Sequence, residues 1–157
     1  MSDNFVHRPK LIVYADQNAD DRTLVARGMA KVCPGVELYG VSNGNELLDF
    51  LCRALDPKND GNASLPDVIL LELNMPRKSG LEALAEIKAI EALRDIPVVI
   101  FSTSSSETDM HNAFRLGAAS YVRKPRSFRQ LIQTILSISE LWSETEIDAS
   151  RDLDKAC

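Results

Sequence analysis

The sequence contains few residues of the types that build covalent or zinc-stabilised folds. It has three cysteines and two histidines in 157 residues. Cys33, Cys52 and Cys157 show no informative spacing, so we expect free thiols in a reducing compartment. His7 and His111 lie far apart and have no neighbouring cysteine, which argues against a zinc site.

The chain also lacks a long apolar run and an excess of positive charge. No apolar segment approaches the ~20 residues that span a membrane, and residues 1–8 lack the residue order of a signal peptide, so we expect a cytoplasmic protein without a membrane partner. The net charge of −5 argues against nucleic acid as the main partner, because a phosphate backbone requires a basic surface. With 45% hydrophobic and 26% charged residues, the composition is typical of one globular domain.

Strand-like and helical patterns alternate along the chain five times. The fourth strand-like run is apolar on both faces, which is typical of a parallel strand covered by helices on both sides. The repeats predict an α/β fold, a three-layer, doubly wound parallel sheet of five strands, with ligands binding beyond the carboxyl ends of the strands. The predicted strands are 10–15, 36–41, 68–72, 96–101 and 120–123, and the helices begin near 19, 46, 81, 106 and 128 and end near 32, 54, 88, 116 and 142.

Polar side chains follow four of these strands. Asp16 follows the first, Glu72 the third, Ser102 the fourth and Lys124 the fifth. Carboxylates and a backbone carbonyl suit a hard cation such as Mg²⁺. The cation, a hydroxyl and a lysine together can neutralise a phosphoryl group during transfer. The sequence therefore predicts a phosphoryl-transfer site at this edge of the sheet.

Two further acids, Asp20 and Asp21, follow the first strand as well. We interpret them as first-turn residues that complement the dipole of the first helix, and we place them outside the site. With Asp16 they also argue against a flavodoxin-like cofactor binder, because three carboxylates would repel a flavin phosphate.

These motifs resemble the receiver domain of two-component response regulators. The resemblance covers residues 9–142 and rests on an acid after strand one, Asn-Met-Pro after strand three, Ser-Thr after strand four and Lys-Pro after strand five. Segments 71–80, 96–107 and 115–125 are most similar to single-domain regulators associated with cyanobacterial and bacterial phytochromes. The family implies a flavodoxin-like fold with strand order 2-1-3-4-5, here flanked by an N-terminal extension (1–8) and an acidic tail (143–157).

The resemblance also implies roles for single residues. Asp16, Glu72 and the backbone carbonyl of Asn74 stand at the metal-binding positions, whereas Ala15 falls where many members have a second acid. Glu72 stands at the phospho-acceptor position, where the family has aspartate. The longer side chain would place a phosphoryl group roughly one bond length too far out, and a misplacement of ~1 Å can cost ~10²-fold in rate. We therefore expect negligible phosphotransfer to Glu72.

The remaining family positions concern switching. Ser102 stands at the switch hydroxyl, Tyr121 at the rotating aromatic and Lys124 at the phosphate-contacting lysine, and Pro125 is expected to follow a cis peptide bond. Glu72 could either pair with Lys124 and lock the inactive arrangement or partly mimic the phosphorylated state, and the sequence leaves both open.

The implied function is that of a signalling module rather than an enzyme. We expect a single-domain response regulator that partners a phytochrome-type histidine kinase. The alternative is a receiver-like interaction module that works without phosphorylation. The apolar stripe of the last helix runs on to Leu141 and Trp142, which favours a homodimer through the fourth helix, fifth strand and fifth helix.

Overall fold

The computed structural model describes the backbone of residues 10–59 and 64–147, and side chains up to residue 139. Five strands alternate with five α-helices, as the sequence predicts, and a short 3₁₀ helix (Pro57–Asn59) lies between the second helix and the third strand. The strands are β1 (Leu11–Ala15), β2 (Glu37–Val41), β3 (Val68–Leu71), β4 (Val98–Ser102) and β5 (Ser120–Arg123). The helices are α1 (Ala19–Val32), α2 (Gly44–Leu55), α3 (Gly80–Ala89), α4 (Glu107–Arg115) and α5 (Phe128–Ile147), the last continuing past its predicted end at residue 142.

The five strands form one parallel sheet in the order β2-β1-β3-β4-β5, which confirms the predicted topology. Ala15 at the end of β1 pairs with Val41 on one side and with Leu71 on the other. Across the sheet, Ser102 at the end of β4 pairs with Arg123 in β5. The strands thus end nearly in line, and the residues that follow β1, β3 and β5 meet at one edge.

The core lies on both faces of the sheet, because successive side chains of a strand point to opposite sides. Strands β3 and β4 are buried throughout, since helices cover both of their faces. Val13 and Ile69 belong to the cluster under α2, α3 and α4, whereas Ile12 and Leu70 belong to the cluster under α1 and α5. The two apolar layers fix the sheet that carries the site.

Short polar side chains begin the helices at the site edge. Asn18 caps α1, Asn43 caps α2 and Ser106 caps α4, each accepting a hydrogen bond from a first-turn backbone N–H. Ser79 and Glu82 form a reciprocal capping box at the start of α3.

Two local predictions are wrong. The described residues contain no cis peptide bond, so the bond before Pro125 is trans. Cys33 is disulfide-bonded and fully buried, whereas Cys52 is a free, exposed thiol, so the prediction of three free thiols fails at Cys33. Among the helices described, none is long and apolar enough to cross a membrane.

Candidate functional site

Asp16 is a buried acid that is bonded through both carboxylate oxygens. It follows β1, is only 1% exposed, and its backbone N–H donates to the carbonyl of Val41 at 3.0 Å. One carboxylate oxygen, Oδ1, accepts from the backbone N–H of Asn18 at 2.9 Å. The other, Oδ2, accepts from the Tyr14 hydroxyl at 2.5 Å. Buried polar groups need such partners, and Asp16 has them on both oxygens.

Tyr14 explains how this carboxylate is held. Residues two apart on a strand share a face, so the Tyr14 ring reaches past the end of β1 toward Asp16. Burial, followed by the hydrogen bond and the charge of Asp16, raises the pKa of the Tyr14 hydroxyl far above its usual value. Tyr14 therefore remains a neutral donor at any ordinary pH.

Glu72 turns its carboxylate back over the loop that follows β3. Its backbone N–H donates to the carbonyl of Ala15 at 3.0 Å, which joins the ends of β1 and β3. Its Oε2 accepts from the backbone N–H groups of Leu73 and Asn74 at 2.7 and 3.0 Å. The side chain is 4% exposed, so both oxygens rely on protein partners rather than on water.

Lys124 joins the acids into one cluster. Its Nζ lies 2.6 Å from Asp16 Oδ2, 2.7 Å from Glu72 Oε1 and 2.8 Å from Asp21 Oδ2. Burial alone would lower the pKa of Lys124, but the hydrogen bonds that its ammonium donates to these three carboxylates outweigh burial and raise the pKa. One ammonium thus balances three carboxylates, two of them buried.

The predicted switch residues lie next to this cluster without joining it. The buried Ser102 hydroxyl accepts from the backbone N–H of Ser104 at 3.2 Å. The Tyr121 hydroxyl donates to the carbonyl of Ser104 at 2.9 Å, which ties β5 to the loop after β4. The backbone N–H of Lys124 donates to the carbonyl of Ser102 at 2.8 Å. In the part of the chain that the structure describes, however, no hydrogen bond links the Ser102 hydroxyl to the side chain of Glu72 or Lys124. In this arrangement Ser102 and Tyr121 therefore each form a hydrogen bond with the loop after β4.

The structure brings together Asp16, Glu72 and Lys124, as predicted, and adds Tyr14 and Asp21. Asp21 was assigned to the helix dipole, but its side chain also reaches Lys124 across 103 residues of sequence. The sequence did contain a signal for Tyr14, because a buried tyrosine hydroxyl needs a partner and Asp16 is two residues away.

The donor types suit a magnesium ion, but in this arrangement an ammonium lies between two of the donors. Oxygen donors from Asp16, Glu72 and Asn74 are the ligands that Mg²⁺ prefers. Among residues 10–59 and 64–139, however, no three acidic, histidine or cysteine side chains are disposed to hold a metal ion. The Lys124 ammonium lies within 2.8 Å of a carboxylate oxygen of Asp16, Asp21 and Glu72. The cluster as arranged holds an ammonium rather than a divalent cation.

Comparison with known proteins identifies the family to which this fold belongs. Residues 18–136 match the response regulator receiver domain. The chain belongs to this family. The family is a signalling module, and its fold is the flavodoxin-like arrangement seen here. The predicted family and fold are therefore confirmed.

Individual relatives include a cyanobacterial phytochrome response regulator. The response regulator Rcp1 of Synechocystis sp. is 33% identical over 137 residues, covering 87% of this chain and 91% of Rcp1. The phosphorylated cyanobacterial phytochrome response regulator RcpA superimposes with a TM-score of 0.78 at 36% identity, covering 90% of this chain and 99% of RcpA. A Mn²⁺-bound form of Rcp1 superimposes with a TM-score of 0.75 at 32% identity, covering 88% of this chain and 98% of Rcp1.

Relatives also occur outside cyanobacteria. The probable methanogenesis regulatory protein FilR2 of Methanothrix harundinacea is 34% identical over 134 residues, covering 85% of this chain and 84% of FilR2. Each of these similarities covers at least 84% of both chains.

Proposed function

We propose that this chain is a cytoplasmic, single-domain response regulator that partners a phytochrome-type histidine kinase and does not accept a phosphoryl group on Glu72. The similarity to Rcp1 and RcpA supports the kinase class. The bonding of the Glu72 side chain is the observation that supports a blocked phospho-acceptor. Its Oε2 accepts from Leu73 and Asn74, and its Oε1 pairs with Lys124. Both oxygens are thus engaged by protein partners, and an attack on phosphorus would have to disturb these bonds.

The geometry opposes phosphotransfer in a second way. A phosphoryl group on an acceptor one methylene longer would lie roughly one bond length farther out, and ~1 Å of misplacement can cost ~10²-fold in rate. The Glu72–Lys124 ion pair at 2.7 Å supports a locked inactive site over a mimic of the phosphorylated state. The bonding of Ser102 to Ser104 rather than to Glu72 supports the same choice.

The alternative function is that of an interaction module without a phosphoryl cycle. The self-neutralised cluster favours it, because Lys124 already supplies the positive charge that a bound cation would bring. Under this alternative, the protein binds its partners while the arrangement of the site stays unchanged. The two functions share a fold and differ in whether the kinase alters the site.

Replacing Glu72 with aspartate should create a phosphoryl acceptor. We expect no stable label on the unmodified chain from a phytochrome-type histidine kinase or from acetyl phosphate with Mg²⁺. Glu72→Asp should become labelled, because the shorter carboxylate is drawn back to the family position. The measurement is radiolabel per mole of protein after transfer, with and without Mg²⁺.

Two controls make that result specific. Asp16→Ala in the Glu72→Asp background should abolish labelling, and Glu72→Gln should remain unlabelled. Stable, Mg²⁺-dependent label on the unmodified chain would rule out the blocked acceptor. Label that survives Glu72→Gln would point to another acceptor residue.

We further propose that Mg²⁺ binds this site weakly, through Asp16, Glu72 and Asn74. Binding requires the cation to replace Lys124 between Asp16 and Glu72, so two ion pairs of 2.6 and 2.7 Å must break. The family's use of the cation and the Mn²⁺-bound form of Rcp1 support the assignment of the site.

We also propose a homodimer through α4, β5 and α5, with no nucleic acid or membrane as partner. Phe114 on α4 is 49% exposed, which supports an apolar contact there. The side chains of Leu141 and Trp142, which suggested the dimer, lie outside the described residues. Light scattering at micromolar concentration should report a dimer that Phe114→Ser weakens. Leu24→Ser on α1, where the leucine is 40% exposed, is the matched control; a monomeric mass for the unmodified chain would refute the dimer.

A further inference from the structure

Asp21 contacts the functional lysine from a different element than the other acids do. It lies in the first turn of α1, and its Oδ2 is 2.8 Å from Lys124 Nζ. Its backbone N–H is bonded to the capping residue Asn18, so the helix start fixes its position. The contact therefore joins α1 directly to the loop between β5 and α5.

We propose that Asp21 is a positioning residue that holds the Lys124 ammonium toward α1 and so limits its availability to a phosphoryl group at residue 72. This deepens the proposed function, on which it rests, by naming a second control of the same site. Asp16 and Glu72 are buried partners of Lys124, whereas the Asp21 side chain is 32% exposed. Asp21 is thus the partner that can change without leaving an unpaired charge in the core.

The competition follows from charge and geometry. A phosphoryl group in transfer needs the lysine's positive charge, and each carboxylate that already binds the ammonium must be displaced or shared. Asp21 adds a negative charge at the same edge, which also opposes the approach of an anionic donor. Asp21 and Lys124 both line a cavity of about 330 Å³ between the starts of α1 and α5, so the pair stands at an opening.

The neighbouring residue provides a matched control. Asp20 occupies the same first turn, carries the same charge and is exposed. Within the described part of the chain, its side chain forms no ion pair or hydrogen bond. A dipole or general charge effect should be shared by Asp20 and Asp21, whereas the proposed effect belongs to Asp21 alone.

The first test measures transfer from acetyl phosphate to the Glu72→Asp protein at saturating Mg²⁺. In that step a carboxylate oxygen of the new aspartate bonds to phosphorus while the bond to the acetate oxygen breaks and acetate leaves. We expect Asp21→Asn to raise the initial rate about 3- to 5-fold, the size that the loss of one partly exposed ion pair predicts. Asp20→Asn should leave the rate within about 1.5-fold, since it removes no ion pair of Lys124.

The second test uses the chain with Glu72 intact and needs no phosphorylation. NMR should detect the Lys124 ammonium hydrogens as slowly exchanging with water, because the side chain is only 10% exposed and triply paired. Asp21→Asn should speed this exchange at least about twofold by removing one ion pair, and Asp20→Asn should not.

The two tests separate the two proposals. If Glu72→Asp takes no label, the account of the blocked acceptor fails, while the ammonium exchange still decides the role of Asp21. If Asp21→Asn and Asp20→Asn have equal effects in either measurement, the positioning role of Asp21 is overturned.

Discussion

Replacing Lys124 with methionine should lower the free energy of unfolding by about 3–5 kcal/mol. Methionine keeps the apolar length of the side chain but removes the one ammonium that pairs with Asp16, Glu72 and Asp21. Asp16 and Glu72 are 2% and 4% exposed at their side chains, so water cannot replace the lost partner. Urea denaturation at pH 7 measures the change.

The choice of pH and a variant that breaks a surface ion pair serve as controls for this experiment. The folded state raises the pKa of Lys124 above its usual value of 10.5, so the stability from its charge is complete below that pH and is lost only as the pH rises above it. Lys78→Met breaks the ion pair with Glu86, whose side chain is 48% exposed, and should cost under about 1 kcal/mol. Equal losses for the two variants would mean that the buried cluster has no special role in stability.

Replacing Gly80 with alanine should destabilise the protein by about 3 kcal/mol or more and disturb Glu72 as well. A Cβ at residue 80 would lie 2.3 Å from the carbonyl oxygen of Glu72 and 2.7 Å from the Cα of Leu73. Both are backbone atoms, so no side-chain rotation can relieve the clash. The start of α3 and the loop after β3 would have to separate, and urea denaturation measures the cost.

Gly35→Ala is the matched control for this substitution. Its Cβ would meet nothing within 4 Å, and its backbone does not adopt a positive φ. Alanine restricts the unfolded chain, so we expect a change of less than about 1 kcal/mol, in the stabilising direction. A small effect at Gly80 would show that α3 can shift away from β3 at little cost.

The sequence predicted the fold because its pattern is strongly periodic. Buried strands such as β3 and β4 are short and apolar throughout, and amphipathic helices separate them. Because the connections between these elements are short, the crossovers between parallel strands are almost always right-handed. The end of α5 could not be predicted in this way, since the residues after 142 carry no stop signal before Ile147.

By itself, the sequence determined which residues reach the site edge: Asp16, Glu72, Ser102 and Lys124 each follow a strand of a parallel sheet, and parallel strands end together. Only the tertiary structure decided how those side chains bond. Whether Glu72 reaches Ser102 or folds back onto Lys124 depends on the backbone N–H groups of the loop after β3.

The need for the tertiary structure also explains why the contacts of Asp21 and Tyr14 were not predicted. A first-turn acid satisfies a helix dipole wherever its side chain points, so the pattern around Asp21 looked complete without Lys124. The contact between them joins residues 103 apart in the sequence, and it forms where α1 packs against α5, the helix that follows Lys124. Local sequence sets the type of group at each strand end, and packing between distant segments sets which groups touch.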